Sequence, residues 1–156
     1  MLKPNLEIQS SEKDLKKNLK IFFDDLKAED IVLLSGPMGS GKTTLVTKFV
    51  EYKQDQSAFA AMDIKANSPS YNLIHEYKLK DLNIVHIDLY RIESEADLES
   101  TGFWDVMQSK NSIFFIEWPD KISKSELTYN RLINLEIRMD KINSITNQNR
   151  TYSIKH

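Results

Sequence analysis

Apolar and polar residues alternate with different periods along this chain, and the changes of period divide it into elements. "SSEKDLKKNLKIFFDDL" carries Leu15, Leu19, Phe22 and Phe23 at helical spacing, with Leu26 following, and predicts a helix. Ser11 is its expected N-cap, with Asp14 three residues on. Leu6 and Ile8 ahead of it predict a short strand. "DIVLLSG" is a continuous apolar run, the pattern of a strand buried on both faces. "KTTLVTKFVEYK" returns to helical spacing, with Leu45, Val46, Phe49 and Val50 as its inner stripe. "SYNLIHEYKL" and "LNIVHIDLY" predict strands, and "NSIFFIEW" predicts another buried one. Between the last two, "ESEADLESTGFWDVM" predicts a helix capped by Ser94, with Asp97 three residues on and Gly102 near its end. "QDQSAFAAMDIKAN" fits a loop carrying a short helix around Ala58 to Met62, and its pattern does not decide. Near the C-terminus Ile133, Leu135 and Ile137 alternate, so "RLINLEIRM" and "RTYSIK" predict a terminal antiparallel pair.

Strand–helix–strand units fill the first two thirds, which makes the fold class α/β with antiparallel additions at the C-terminus. No repeat, low-complexity tract or linker interrupts the 156 residues, so a single domain over 1–156 is expected. A net charge of −2 gives no global attraction to nucleic acid or to an anionic membrane. The absence of cysteine excludes disulfides and thiolate metal sites. The first twenty residues lack the apolar stretch of a signal peptide and no apolar run approaches a membrane span, so a cytoplasmic location is expected.

The chemistry concentrates in "GPMGSGKT". Gly36-Pro37-Met38-Gly39-Ser40-Gly41-Lys42-Thr43 matches G-x-x-x-x-G-K-[ST] without a gap. Glycines let backbone N–H groups turn inward around a phosphate, and the helix that follows adds unpaired N–H groups and the positive end of its dipole. Lys42 is the expected point charge on the β- and γ-phosphates, and Thr43 Oγ1 the expected Mg²⁺ ligand. A strand before the loop and an amphipathic helix after it give the context this mechanism needs. A three-layer fold like that of P-loop NTPases, with a mostly parallel central sheet, follows. Guanine recognition usually needs an Asn/Thr-Lys-x-Asp element; the nearest string, "PDKIS", lacks its first and last members, which favours ATP.

Mg²⁺ on a triphosphate usually has a second protein anchor, an acid at the end of a buried strand. Two strands qualify: "IVHID" ends at Asp88 and "IFFIE" at Glu117. Either could hold the metal, directly or through water, and the other orient the attacking water. Spacing alone does not assign the roles. Glu117 is the better anchor because the strand before it is the more apolar.

"GPMGSGKTT", "SPSY", "HIDLYR" and "IEWP", in that order, resemble the TsaE family of small bacterial P-loop ATPases, and the likeness covers nearly the whole chain. The resemblance implies a role in forming N6-threonylcarbamoyladenosine at position 37 of tRNAs that read codons beginning with A. It implies two protein partners, TsaD and TsaB, with the transfer chemistry on TsaD, the adenylate made by a separate enzyme, and tRNA met indirectly through the complex. The TsaE-like subunit would bind and hydrolyse ATP to reset the complex. By position, Gly36 to Thr44 would bind the phosphates, Thr43 and Glu117 the Mg²⁺, and Asp88 would serve hydrolysis. Ser68 to Tyr71, including Ser70, resemble a switch-like loop near the γ-phosphate, and Trp118 would lie beside the nucleotide. Two departures stand out. Ser70 occupies a position where the family usually has Thr, which loosens the rotamer, and Gln54 to Asn67 is longer than the usual connection and lacks its glycine.

Other residues carry weaker signals. His86 on a strand reads first as a hydrogen-bonded structural residue. Arg91 could stabilise charge on the γ-phosphate or pair with Glu93 or Glu95. The N-terminal Ser11 region, a helix start, is a candidate to approach the adenine. Phe103 and Trp104 read as core or partner surface. Lys121, Lys124, Arg131, Arg138 and Arg150 read as a solvated rim before a tRNA-facing patch. No second arginine finger stands out, so hydrolysis by the chain alone should be slow. The rival readings are a small-molecule kinase, which would need an Arg-bearing lid not found between Arg91 and Asn111, and a nucleotide-gated binding module without significant turnover.

Overall fold

The apolar run "DIVLLS" becomes the innermost strand of an eight-stranded sheet, with Ile31 to Leu34 buried on both faces. A computed structural model describes residues 5–57, 62–65, 73–140 and 149–156. In chain order its elements are β1 (Asn5–Ser10), α1 (Leu15–Asn18), α2 (Lys20–Asp25), β2 (Asp30–Ser35), α3 (Lys42–Asp55), β3 (Met62–Lys65), β4 (Ile74–Lys78), β5 (Asn83–Asp88), α4 (Glu95–Ser100), α5 (Phe103–Met107), β6 (Ser112–Glu117), β7 (Arg131–Met139) and β8 (Arg150–Lys155). Short 3-10 turns at Pro119–Lys121 and Lys124–Glu126 follow β6. No helix of the described residues is long and apolar enough to cross a membrane.

The strand order is β1-β8-β7-β2-β6-β5-β4-β3. The inner four, β7, β2, β6 and β5, are mutually parallel. The expected antiparallel pair of β7 and β8 is present, from Asn134↔Lys155 to Met139↔Arg150, and β1 extends it. Antiparallel strands also close the other edge, where β4 pairs with β5 and β3 with β4. The additions therefore flank the parallel core on both sides, and are not confined to the C-terminal one. Met62 belongs to β3, not to the short helix the sequence suggested; residues 58–61 lie outside the described ones.

Alternation along each inner strand feeds two cores. Val32, Leu34, Phe115 and Ile84 face a layer built by Leu15, Leu19, Phe22, Phe23, Leu45 and Phe49 from α1 to α3. Ile31, Leu33, Val85, Ile87, Phe114 and Ile116 face the other layer, with Leu98 and Phe103 of α4 and α5. Hydrophobic residues on both faces are what an interior parallel strand requires.

Two helices expected to be continuous are divided. The first breaks at Leu19 (φ −93°, ψ 7°), where Asn18 turns its amide to Ser10 Oγ at 3.1 Å and so ties the helix back to β1. Ser11 does act as a local cap: its Oγ accepts from the Asp14 N–H at 3.3 Å and donates to Asp14 Oδ2 at 2.8 Å. The other divides at Gly102, whose φ of +75° ends α4 and lets α5 set out in a new direction with Phe103 buried. The capping box of Ser94 and Asp97 is complete in both directions.

Candidate functional site

Parallel register sets the site. Leu34 pairs with Glu117 and Asp88 pairs with Glu117, so both acids stand at the carboxyl ends of strands just where β2 runs into the glycine-rich loop. Crevices outside the carboxyl ends of an α/β sheet are where such folds bind ligands. Glu117 and Asp88 share the parity of Phe115 and Ile84 along their strands, which puts them on the α3 face.

The loop is shaped by its backbone. Gly36 has φ +144°, and a Cβ there would stand 2.5 Å from the Ile137 carbonyl oxygen, so no other residue fits. Ser40 N–H donates to Pro37 O at 3.1 Å, which closes the turn, while the Ser40 side chain is fully buried and its Oγ has no partner among the described residues. Pro37, Met38 and Gly39 form the exposed tip. Gly41, with φ +98°, starts α3, and the fourteen residues that follow give the loop a long helix to open onto.

Lys42 is buried, and its Nζ donates to Gly36 O at 2.9 Å and Pro37 O at 3.1 Å. The same ammonium lies 4.4 Å from the centre of the Trp118 ring, a cation–π contact. Trp118 holds a left-handed backbone (φ 59°, ψ 53°) and also packs on Tyr90, with ring centres 5.2 Å apart. Strained backbone of this kind at a non-glycine residue gathers at functional sites. Thr43 Oγ1 donates to Glu117 Oε1 at 2.8 Å, bringing together two side-chain oxygens that are 74 residues apart in sequence. His86 Nε2 meets the same Glu117 oxygen at 2.8 Å. Asp88, partly buried, accepts the Tyr90 N–H on Oδ1 at 3.0 Å.

Lys42, Thr43, Asp88, Tyr90, Glu117 and Trp118 line one cleft of about 300 Å³ with Met38, Gly39, Gly41, Thr44 and Arg150, and His86 stands behind Glu117 without lining it. That volume is at the small end for a ligand site, and the cleft is partly open to solvent. Pro37 and Ser40 shape the loop without lining the cleft. Ser11 does not line it either; its hydroxyl is engaged with Asp14, although its neighbour Ser10 pairs with Arg150 across β1 and β8. Ser70, with the rest of Ser68 to Tyr71, lies outside the described residues.

Arg150 is not on the solvated rim that its charged neighbours suggest. It is the first residue of β8 and, with Tyr152 and Ile154, points to the α3 face. Its guanidinium packs over Gly41, where a Cβ would sit 3.2 Å from Arg150 Nε. That Nε is buried with no hydrogen-bond partner, and Arg150 makes no ion pair among the described residues. The rest of the expected rim disperses. Arg131 pairs with Asp25 and Asp30, Arg138 pairs with Glu7, and Lys121 and Lys124 are exposed. Arg91 is exposed, outside the cleft, and pairs with neither Glu93 nor Glu95.

Among the described residues no group of three His, Cys, Asp or Glu could hold a metal alone. A threonine hydroxyl and one carboxylate, both hard oxygen donors, fit instead a Mg²⁺ that keeps most of its shell as water and phosphate.

The family model described as "Threonylcarbamoyl adenosine biosynthesis protein TsaE" matches residues 9–150. A tRNA threonylcarbamoyladenosine biosynthesis protein TsaE from Rickettsia typhi is 34% identical over 113 residues, 72% of this chain and 73% of that protein. The protein of the same name from Borreliella burgdorferi is 35% identical over 129 residues, 83% and 88% of the two chains. The crystal structure of YdiB from Bacillus subtilis shares the fold, with a TM-score of 0.62 at 21% identity over 99% of this chain and 86% of that one.

Proposed function

This chain belongs to the TsaE family of threonylcarbamoyladenosine biosynthesis proteins, and we propose that it is the Mg²⁺-dependent ATP-binding and ATP-hydrolysing subunit of the machinery that forms N6-threonylcarbamoyladenosine on tRNA. Its working context is the cytoplasm, with TsaD and TsaB as protein partners and tRNA met through the complex. The observation that carries the reading is the 2.8 Å contact between Thr43 Oγ1 and Glu117 Oε1 at the mouth of the phosphate loop. Burying a carboxylate costs free energy unless it is paired, and a divalent cation on a nucleotide takes a hydroxyl and a carboxylate placed in this way.

In this reading the N–H groups of Gly39 to Thr44 cradle the phosphate tail. Lys42 leaves its two carbonyl partners and the Trp118 ring for the β- and γ-phosphate oxygens. Arg150 adds a second cation from the β8 side, with its unpartnered Nε as donor. Thr43 and Glu117 hold Mg²⁺, directly or through water, and Asp88 orients the attacking water. Bound Mg²⁺ neutralises charge that gathers on the phosphate oxygens. Arg150 and Lys42 are the only cations lining the cleft among the described residues, and neither is an arginine positioned from the Asp88 side. A partner surface therefore completes the site, and turnover by the chain alone is slow.

The test uses the purified chain. Calorimetry with MgATP should show one site, and ATP turnover should rise when TsaD and TsaB are added. Absence of heat with MgATP would overturn nucleotide binding. Binding without any turnover, alone or with both partners, would leave a nucleotide-gated binding module in its place.

A further inference from the structure

Glu117 is only 3% exposed, and two donors converge on one of its oxygens. Thr43 Oγ1 reaches Oε1 from the start of α3, and His86 Nε2 reaches the same atom from β5, each at 2.8 Å. An ionised carboxylate can only accept, so the ring nitrogen facing it must carry the proton. His86 is itself 5% exposed, on the α3 face of β5 next to Asp88's strand end. Behind it stands His75, its cross-strand partner on β4, with ring centres 6.1 Å apart. The imidazole is thus held on one side by the sheet and directed on the other at the carboxylate. Among the described residues no donor reaches Glu117 Oε2.

We propose that His86 is a positioning residue for the Mg²⁺ site: its Nε2–H locks the Glu117 carboxylate in the rotamer that keeps Oε1 beside Thr43 Oγ1 and turns Oε2 toward the cleft. The inference rests on the reading of Glu117 as a metal anchor and adds the group that orients it. Partners of this kind fix the direction of ligand carboxylates and typically change metal affinity 10–100-fold when removed. Asp88, by contrast, is held through the Tyr90 backbone and does not depend on His86.

Two substitutions separate the hydrogen bond from the bulk of the ring. His86→Phe keeps a ring in the space and removes the donor. His86→Gln puts an amide N–H near the position of Nε2. The quantity read is the ratio of ADP affinities in saturating Mg²⁺ and in EDTA, together with the Mg²⁺ concentration that half-saturates ADP binding at fixed pH. His86→Phe should raise that concentration by about 10–100-fold and pull the ratio toward one; His86→Gln should stay within about fivefold of the original chain, on the same scale of effects. If His86→Phe titrates with Mg²⁺ like the original chain, His86 has no positioning role. If both variants lose ADP affinity equally with and without Mg²⁺, the residue is merely structural and the proposal is also overturned. Should His86→Phe not fold, His86→Gln against His86→Leu gives the same comparison. Failure of the original chain to bind ADP at all would instead remove the nucleotide reading, an outcome distinct from either.

Discussion

Arg131→Met cuts an ion-pair cluster at the end of the sheet opposite the cleft. Asp30, the first residue of β2, is fully buried and accepts three hydrogen bonds: from Lys27 N–H at 2.8 Å, Arg131 Nε at 3.0 Å and Arg131 Nη2 at 2.6 Å. The same guanidinium reaches Asp25 Oδ2 at 2.6 Å and the Asp25 carbonyl at 2.7 Å. Arg131 joins the start of β7 to the start of β2 and to the end of α2. Met keeps most of the aliphatic stem and removes the charge. Leaving a buried carboxylate without its partner costs about 3–5 kcal/mol. Arg131 itself is 29% exposed, so water softens the loss, and about 2–3 kcal/mol is expected. For a domain of this length that lowers Tm by roughly 5–10 °C.

The pH dependence supplies the sharper check. Burial pushes the Asp25 carboxyl up, but the hydrogen bond and charge of Arg131 outweigh it and hold the group below the ordinary 3.8. A depressed carboxyl contributes its stability in full above the unfolded value and loses it as pH falls through the folded value. The gap in stability between the original chain and Arg131→Met should therefore be constant near neutrality and narrow below about pH 4. Urea unfolding followed by circular dichroism, from pH 7 down to pH 2.5, measures it. A gap under about 0.5 kcal/mol at pH 7, or one that stays unchanged in acid, would refute the electrostatic account of this cluster. Nucleotide affinity of the folded variant should be unaltered, because the cluster lies at the far end of β2.

Two further outcomes bear on the cleft. Asp88→Ala should bind MgATP within about threefold of the original chain but turn it over at least about 100-fold more slowly; unchanged single-turnover kinetics would remove Asp88 from the chemistry. Arg150→Gln should weaken both ATP and ADP about tenfold, as loss of one charge-assisted contact does, while leaving adenosine untouched. An equal loss for adenosine would move Arg150 from the phosphates to the base.

The sequence exposes local chemistry and hides what depends on cross-sheet placement. The phosphate loop was legible because its residues are contiguous and their spacing states a mechanism. Asp88 and Glu117 were legible as strand ends, since an apolar run that stops at an acid marks where a buried strand emerges. Arg150 was not, because its place beside Gly41 depends on β7 lying parallel to β2, so that the expected antiparallel β8 begins at the carboxyl end of the parallel core. Nothing in "RLINLEIRM" encodes which strand lies beside it. The strand pattern marks His86 as a structural hydrogen-bonder but does not name its partner, because β5 and β6 meet only in the folded sheet. Local propensity also overstated helix length: the periodicity around Leu19 and Gly102 continues while the backbone turns.

The site's geometry is inherited from the two cores. Period-2 alternation means that a one-residue slip of β6 would send every side chain to the opposite face. Glu117 would leave Thr43 and His86, and Asp88 would lose its register partner. The same slip would take Phe115 away from Phe49, whose ring lies 5.0 Å from it, and move Ile116 and Phe114 off the α4–α5 layer. Burying a large side chain is worth about 1.5–3 kcal/mol, so several misplaced at once outweigh any rearrangement at the mouth of the cleft. The acids need no network of their own to hold them to α3; apolar packing on both faces of β6 already fixes where they stand, and His86 has only the last rotamer left to decide.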